Sequence, residues 1–189
     1  MQWRAVLLAL LSVVPTVGQA QTMAGAPLAL EGTIPLGDIA GRLDHLAVDL
    51  KRQRLYVAEL GNGTLGVVDL AAGKVLQTIG GFREPQGVGY EPSTDTIYVA
   101  NGGEGSVRVL RAADLAPIAR IEIGEDADNV RVDQAHQRVL VGYGNGGLAV
   151  IDPATGSRVG DFPLNGHPEG FQIDRTANRV FINVPRRAE

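Results

Sequence analysis

A self-similarity of about 42 residues constrains this chain more than any other feature. An acidic residue recurs at Asp49, Glu91, Asp133 and Asp174, at spacings of 42, 42 and 41 residues. Each is followed by a four-residue polar stretch and then by a variant of one apolar run: RLYVAEL from Arg54, TIYVANG from Thr96, RVLVGYG from Arg138 and RVFINVP from Arg179. Within one unit the order is DHLAVD, LKRQ, RLYVAEL, GNG, TLGVVDL, AAGK and VLQTIGG. Each run is short, rich in β-branched residues and bounded by Gly, Asn, Asp or Lys, which predicts four antiparallel strands per unit. Asn62-Gly63 and Asn145-Gly146 fall where two strands must reverse, and Asn-Gly accepts the positive φ angles of a tight hairpin.

One four-stranded sheet cannot bury a core alone, so consecutive units must stack face to face around an axis. The expected fold is all-β, a β-propeller of four-stranded antiparallel blades that is incomplete at about three and a half blades. The units span residues 43–84, 85–126, 127–167 and, in part, 168–185. Residues 28–36 (LALEGTIPL) match the fourth strands VLQTIGG, IARIEIG and RVGDFPL, which predicts an N-terminal closing strand. Such a partial ring leaves strand edges open and invites self-association through them.

Composition agrees. Glycine is abundant at 25 residues and only Lys51 and Lys74 are lysines, so long helices are not expected. The formal net charge of -4 supplies no basic field for a polyanion, and the arginines are scattered, which argues against nucleic acid as a partner. The absence of cysteine excludes disulfide frameworks, thiolate metal sites and cysteine nucleophiles. MQWR followed by the apolar run Ala5 to Val14, with Gly18-Gln19-Ala20 beyond it, has the form of a Sec-type signal peptide over residues 1–20, with periplasmic or extracellular destination. That run is too short to span a bilayer, and no membrane span is expected after cleavage.

The repeat resembles that of the YncE-like, YVTN-type β-propeller proteins. The resemblance rests on Pro85-Gln86-Gly87 and Pro168-Glu169-Gly170, on Tyr98-Val99-Ala100-Asn101, and on Val67-Val68-Asp69 and Val150-Ile151-Asp152-Pro153. It covers residues 28 to 185 and implies a ring, commonly of seven blades, that would need about 290 residues at this period. On that implication the expected reading is a truncated member, with a compact ring of fewer blades or an arc that pairs with a second copy as the alternatives.

In a propeller, the loops entering each first strand and those leaving each second strand share one face. The candidate ligand face is therefore Asp44, His45, Gln86, Asp128, Asn129, His167 and Glu169 at the strand entries, with Glu59, Asn101 and Tyr143 at the strand ends. Carboxylates and amide oxygens there suit Ca²⁺ or Mg²⁺, with Asp44, Asp128 and Glu169 as the candidate metal ligands. Polar residues at strand ends also satisfy turn backbones, the role expected of Asp49, Glu91, Asp133 and Asp174. His136 is expected to be solvated.

The function expected is a ligand- or protein-binding scaffold. The alternative, implied by the gluconolactonase type of propeller, is a metal-dependent lactonase using Glu, Asn and Asp around a divalent cation. No Ser-His-Asp order with a nucleophile elbow is present, and the glycines of GYGNGG lie between strands rather than before a helix, which removes a phosphate cradle.

Overall fold

The structure is a computed structural model that describes residues 28–144 and 146–185. Residues 1–27, which include the segment 1–20 expected to be a signal peptide, Asn145 and residues 186–189 lie outside the described residues. The chain divides into a unit Met1–Gly32, whose described residues 28–32 carry no regular secondary structure, and a unit Thr33–Glu189 that holds every described strand.

The second unit is all-β. β1 (Leu46–Asp49), β2 (Arg54–Glu59), β3 (Thr64–Asp69) and β4 (Lys74–Ile79) form one sheet in sequence order. β5 (Pro85–Glu91), β6 (Thr96–Asn101), β7 (Ser106–Arg111) and β8 (Pro117–Glu122) form a second. β9 (Val130–Asp133), β10 (Arg138–Tyr143), β11 (Gly147–Asp152) and β12 (Ser157–Pro163) form a third. β13 (Gly170–Asp174) pairs with β14 (Arg179–Asn183) as a two-stranded sheet. All pairings are antiparallel, in blade-like meanders.

The second strands read as continuous apolar runs because both of their faces are buried. In β6, Ile97 and Val99 pack with Tyr56, Ala58 and Leu65 of the first sheet, while Tyr98 and Ala100 pack with Val130, Val139 and Val141 of the third. In β10, Val139 and Val141 turn back to the second sheet, and Leu140 meets Phe171 of the last. The core is thus a series of layers between sheets, and each large apolar side chain buried there contributes about 1.5–3 kcal/mol. Tyr56, Tyr98 and Leu140, equivalent in the repeat, are fully buried, whereas their counterpart Phe181 in β14 is 60% exposed.

Turn chemistry repeats with the sheets. Asp49 accepts the Arg52 amide, Glu91 the Ser93 amide, and Asp174 the amides of Thr176 and Ala177. The residue closing each of these turns, Gln53, Asp95, Gln137 and Asn178, is left-handed, with φ of 50–55°. His136 is exposed, as expected, and its Nδ1 also lies 2.9 Å from the buried Asp133 carboxylate, which accepts from Arg138 as well. The Asn62-Gly63 reversal is wider than a two-residue hairpin, a 3₁₀ turn over Leu60–Asn62 with Gly63 left-handed at φ 65°.

Residues 28–36 form no strand, contrary to the closing strand expected there. A fourth strand pairs with a third, and β3, β7 and β11 are each already paired on that side by β4, β8 and β12. No described helix is long and apolar enough to cross a membrane.

Candidate functional site

The repeat register places two polar positions of every unit at one mouth. Five residues before each turn acid stand Asp44, Gln86, Asp128 and Glu169, and seven before it stand Arg42, Glu84, Asp126 and His167. All eight line a single cavity of about 670 Å³, together with Leu43, His45 and Leu60. The backbone explains the convergence. The amides of Asp44, Asp128 and Glu169 donate to Ala58, Gly142 and Asn183, each the carbonyl near the end of the paired second strand, at 2.9, 2.9 and 3.0 Å. In the second sheet a register shift between Pro85 and Val88 replaces that bond, and the Gln86 carbonyl accepts the His45 amide at 3.1 Å, tying two sheets at the mouth.

The lining is acidic. Asp44, Glu84, Asp126, Asp128 and Glu169 face one guanidinium, Arg42, and two imidazoles, His45 and His167. Arg42 pairs with Asp44 at 3.1 Å, Gln86 donates to Asp126 at 2.8 Å, and His167 Nδ1 lies 3.7 Å from Asp126. Glu84 and Asp126 are left-handed non-glycine residues, with φ of 51° and 53°. That conformation costs about 1–2 kcal/mol each, and it recurs at the same cavity-lining position in adjacent repeats.

Within the lining of the mouth, ligand atoms of Asp44, His45 and Asp128 all lie within 4.8 Å of one another. His45 Nδ1 is 2.9 Å from Asp44 Oδ1 and 3.7 Å from Asp128 Oδ1. Although the first distance is short, neither contact has hydrogen-bond geometry, so both His45 Nδ1 and Asp128 Oδ1 are buried without a hydrogen-bond partner. Asp128 is 7% exposed. Burial pushes its carboxyl above the ordinary aspartate range; Asp44 and Asp126 add to the rise, against His45 and His167. The fully buried Asn129 braces the group from behind, its Nδ2 donating to the Glu169 carbonyl at 2.7 Å and to Asp128 Oδ2 at 3.4 Å.

Of the residues expected at the face, Asp44, His45, Gln86, Asp128, His167 and Glu169 are brought together at this cavity. Asn129 stands behind it, and Glu59, Asn101 and Tyr143 are elsewhere. Glu59 is buried and accepts from Thr64 across the β2–β3 hairpin. Asn101 donates to Val99 and Ser106 carbonyls at 2.9 and 3.4 Å, inside its own hairpin. Tyr143 donates to Asp161 at 3.1 Å, on the side of β12. The triad geometry also puts His45 where Glu169 was expected among the metal ligands. Sequence reasoning missed Arg42, Glu84 and Asp126; their signal was the repeat register, seven residues ahead of each turn acid, where His167 had already been singled out.

No protein-family model matches the chain, and no curated protein matches its sequence. Among solved structures, hydrazine synthase from Kuenenia stuttgartiensis superposes on 82% of this chain with a TM-score of 0.70 and 18% sequence identity. The match covers 45% of that chain, so the present chain spans under half of its length. At this identity the likeness is one of fold.

Proposed function

We propose that this chain is a binding module of a β-propeller protein of the YncE-like, YVTN-repeat type, exported by its leader to the periplasm or beyond. Its ligand is a small cationic molecule taken at the acidic mouth. The observation that carries the proposal is the convergence of two equivalent positions from all four repeats on one cavity, with five carboxylates against one arginine. A volume of about 670 Å³ is in the range of small-molecule pockets, and clustered like charges in a recess raise the local concentration of an opposite charge. The apolar positions of the repeat build the layers while the mouth positions differ from unit to unit, as befits a common scaffold with one specialised end.

Spermidine serves as a cationic probe, with citrate as its anionic counterpart, both titrated calorimetrically into the folded chain. Spermidine binding that weakens with added salt and is lost in the combined Glu84→Gln, Asp126→Asn, Glu169→Gln variant supports the module. Preference for citrate, or spermidine binding unaltered by the triple change, overturns it. The lactonase alternative draws support from one observation, the carboxylate and imidazole cluster in the lining of the mouth, and metal-dependent hydrolysis of a lactone substrate by the chain would favour it over plain binding.

A further inference from the structure

We infer that Asp44, His45 and Asp128 form a binding site for a first-row divalent transition metal, Zn²⁺ or Mn²⁺, rather than for Ca²⁺ or Mg²⁺. The inference deepens the reading of the mouth as a ligand site and rests on it for location only.

Three observations point to a metal and not merely to an acidic recess. The first is orphaned polarity. Asp128 Oδ1 and His45 Nδ1 are buried, lack hydrogen-bond partners and face each other across 3.7 Å. A buried carboxylate oxygen without a partner costs about 1–3 kcal/mol or more, so a fold that holds one in place implies something that satisfies it. The second is spacing. Donors bound at about 2.0–2.2 Å with tetrahedral to octahedral angles stand about 3.0–3.5 Å apart along the edges of the coordination shell. The His45 nitrogen stands 2.9 Å and 3.7 Å from the two carboxylate oxygens, close to that spacing, yet without the alignment of a hydrogen bond. The third is support. Asn129 donates to the far oxygen of Asp128, and the His45 backbone is pinned on both sides, its amide to Gln86 and its carbonyl to the Ala58 amide. Ligands fixed by neighbouring hydrogen bonds are what a preformed metal centre needs.

The donor set chooses the metal. An imidazole nitrogen suits Zn²⁺ and other borderline cations, whereas Ca²⁺ and Mg²⁺ favour shells made of oxygen. Three protein ligands leave coordination positions open toward the cavity, where water or a ligand in the mouth can complete the shell.

The test is calorimetric titration of the chelator-treated full chain with ZnCl₂, MnCl₂ and CaCl₂, with folding followed by circular dichroism. The result expected is one Zn²⁺ or Mn²⁺ per chain, with Ca²⁺ weaker by about tenfold or more. His45→Ala and Asp44→Asn should each weaken that binding by about tenfold or more at unchanged metal-free stability. Asp44 precedes β1 outside any strand, and Asp44→Asn keeps the side chain's shape, so this variant carries the test if the histidine variant does not fold. Absence of saturation up to about 1 mM, preference for Ca²⁺, or equal affinity in both variants overturns the site and leaves the cluster a proton-bridged ion triad. Spermidine binding by the metal-free parent chain, lost in the combined Glu84→Gln, Asp126→Asn, Glu169→Gln variant, separates failure of this inference from failure of the mouth itself.

Discussion

Two glycines in the same motif stand in opposite surroundings, and replacing each by alanine tests how the sheets pack. Gly87 and Gly170 are both third in a Pro-x-Gly triplet, and neither has a positive φ, so alanine can adopt either backbone. A Cβ on Gly87 would lie 2.0 Å from the Asp128 carbonyl oxygen, 2.9 Å from its carbon and 2.9 Å from Val130 Cγ2, all in the third unit. Ordinary contact begins near 3.4 Å, so, as 3.4 less 2.0, the two units must part by about 1.4 Å along that line. The obstacle is backbone and cannot rotate away, and the interface that would open is the buried layer holding Val130, Val139 and Tyr98. Overpacking of this kind costs about 1–3 kcal/mol, and a backbone obstacle places Gly87→Ala at the upper end. At Gly170 nothing lies within 4 Å, so alanine there is neutral or stabilises by up to about 1 kcal/mol through the unfolded chain. For a chain of this size about 2–3 kcal/mol lowers Tm by roughly 4–12 °C. Thermal melts of the two variants beside the parent should show that loss for Gly87→Ala alone. Equal melting of the two variants would refute the packing argument.

Three further outcomes follow from the same geometry. Arg52 donates to Asp95 twice at 2.7 Å and to the fully buried Asp49 at 2.8 Å, clamping the first two sheets, so Arg52→Ala should cost about 2 kcal/mol in urea denaturation, a figure reduced for the part-exposed Asp95. The Arg52 hydrogen bonds hold the Asp95 carboxyl below the ordinary aspartate range, so its contribution is present above an unfolded pKa of about 3.9 and is lost as pH falls through the lower folded value; the penalty of Arg52→Ala should shrink on acidification, and a penalty independent of pH would count against the clamp. Burial raises the hydroxyls of Tyr56, Tyr90, Tyr98 and Tyr143, Tyr90 to about 12, so the folded chain should show little tyrosinate absorbance at pH 10, and this contribution to stability should fade as pH rises from about 10 toward 12; a half-ionised native spectrum at pH 10 would contradict it. Phe181, Phe162, Leu46 and Val48 are exposed, and Phe181→Lys should reduce concentration-dependent association in sedimentation velocity, whereas unchanged association would place the contact elsewhere.

The sheets were legible because their cause is local and repeated. A second strand buried on both faces must be continuously apolar, as TIYVAN is, and the turn acids must sit where they can cap the reversal, as Asp174 does for Thr176 and Ala177. The segment 28–36 carries the same pattern but has no unpaired third-strand edge among the described residues, and pattern alone does not report whether an edge is free. At the mouth, register told which backbones converge, since the amides of Asp44, Asp128 and Glu169 hang on the second strands in the same way. It did not tell where a side chain turns. Asn101 and Glu59 are the last residues of their strands, yet acceptors and donors within their own hairpins capture them. Arg42, Glu84 and Asp126 share no residue type, so nothing but their common offset from the turn acid marks them as equivalent.

The most direct test of the central claim, that four repeats deliver their equivalent loop residues to one ligand-taking mouth, is a crystal structure of the chain soaked in MnCl₂ or ZnCl₂ with anomalous differences recorded. A single strong peak bounded by Asp44, His45 and Asp128, with Arg42, Glu84, Asp126 and His167 around the same opening, is the result predicted. Anomalous density elsewhere only, or loops that splay these residues away from a common cavity, would contradict it.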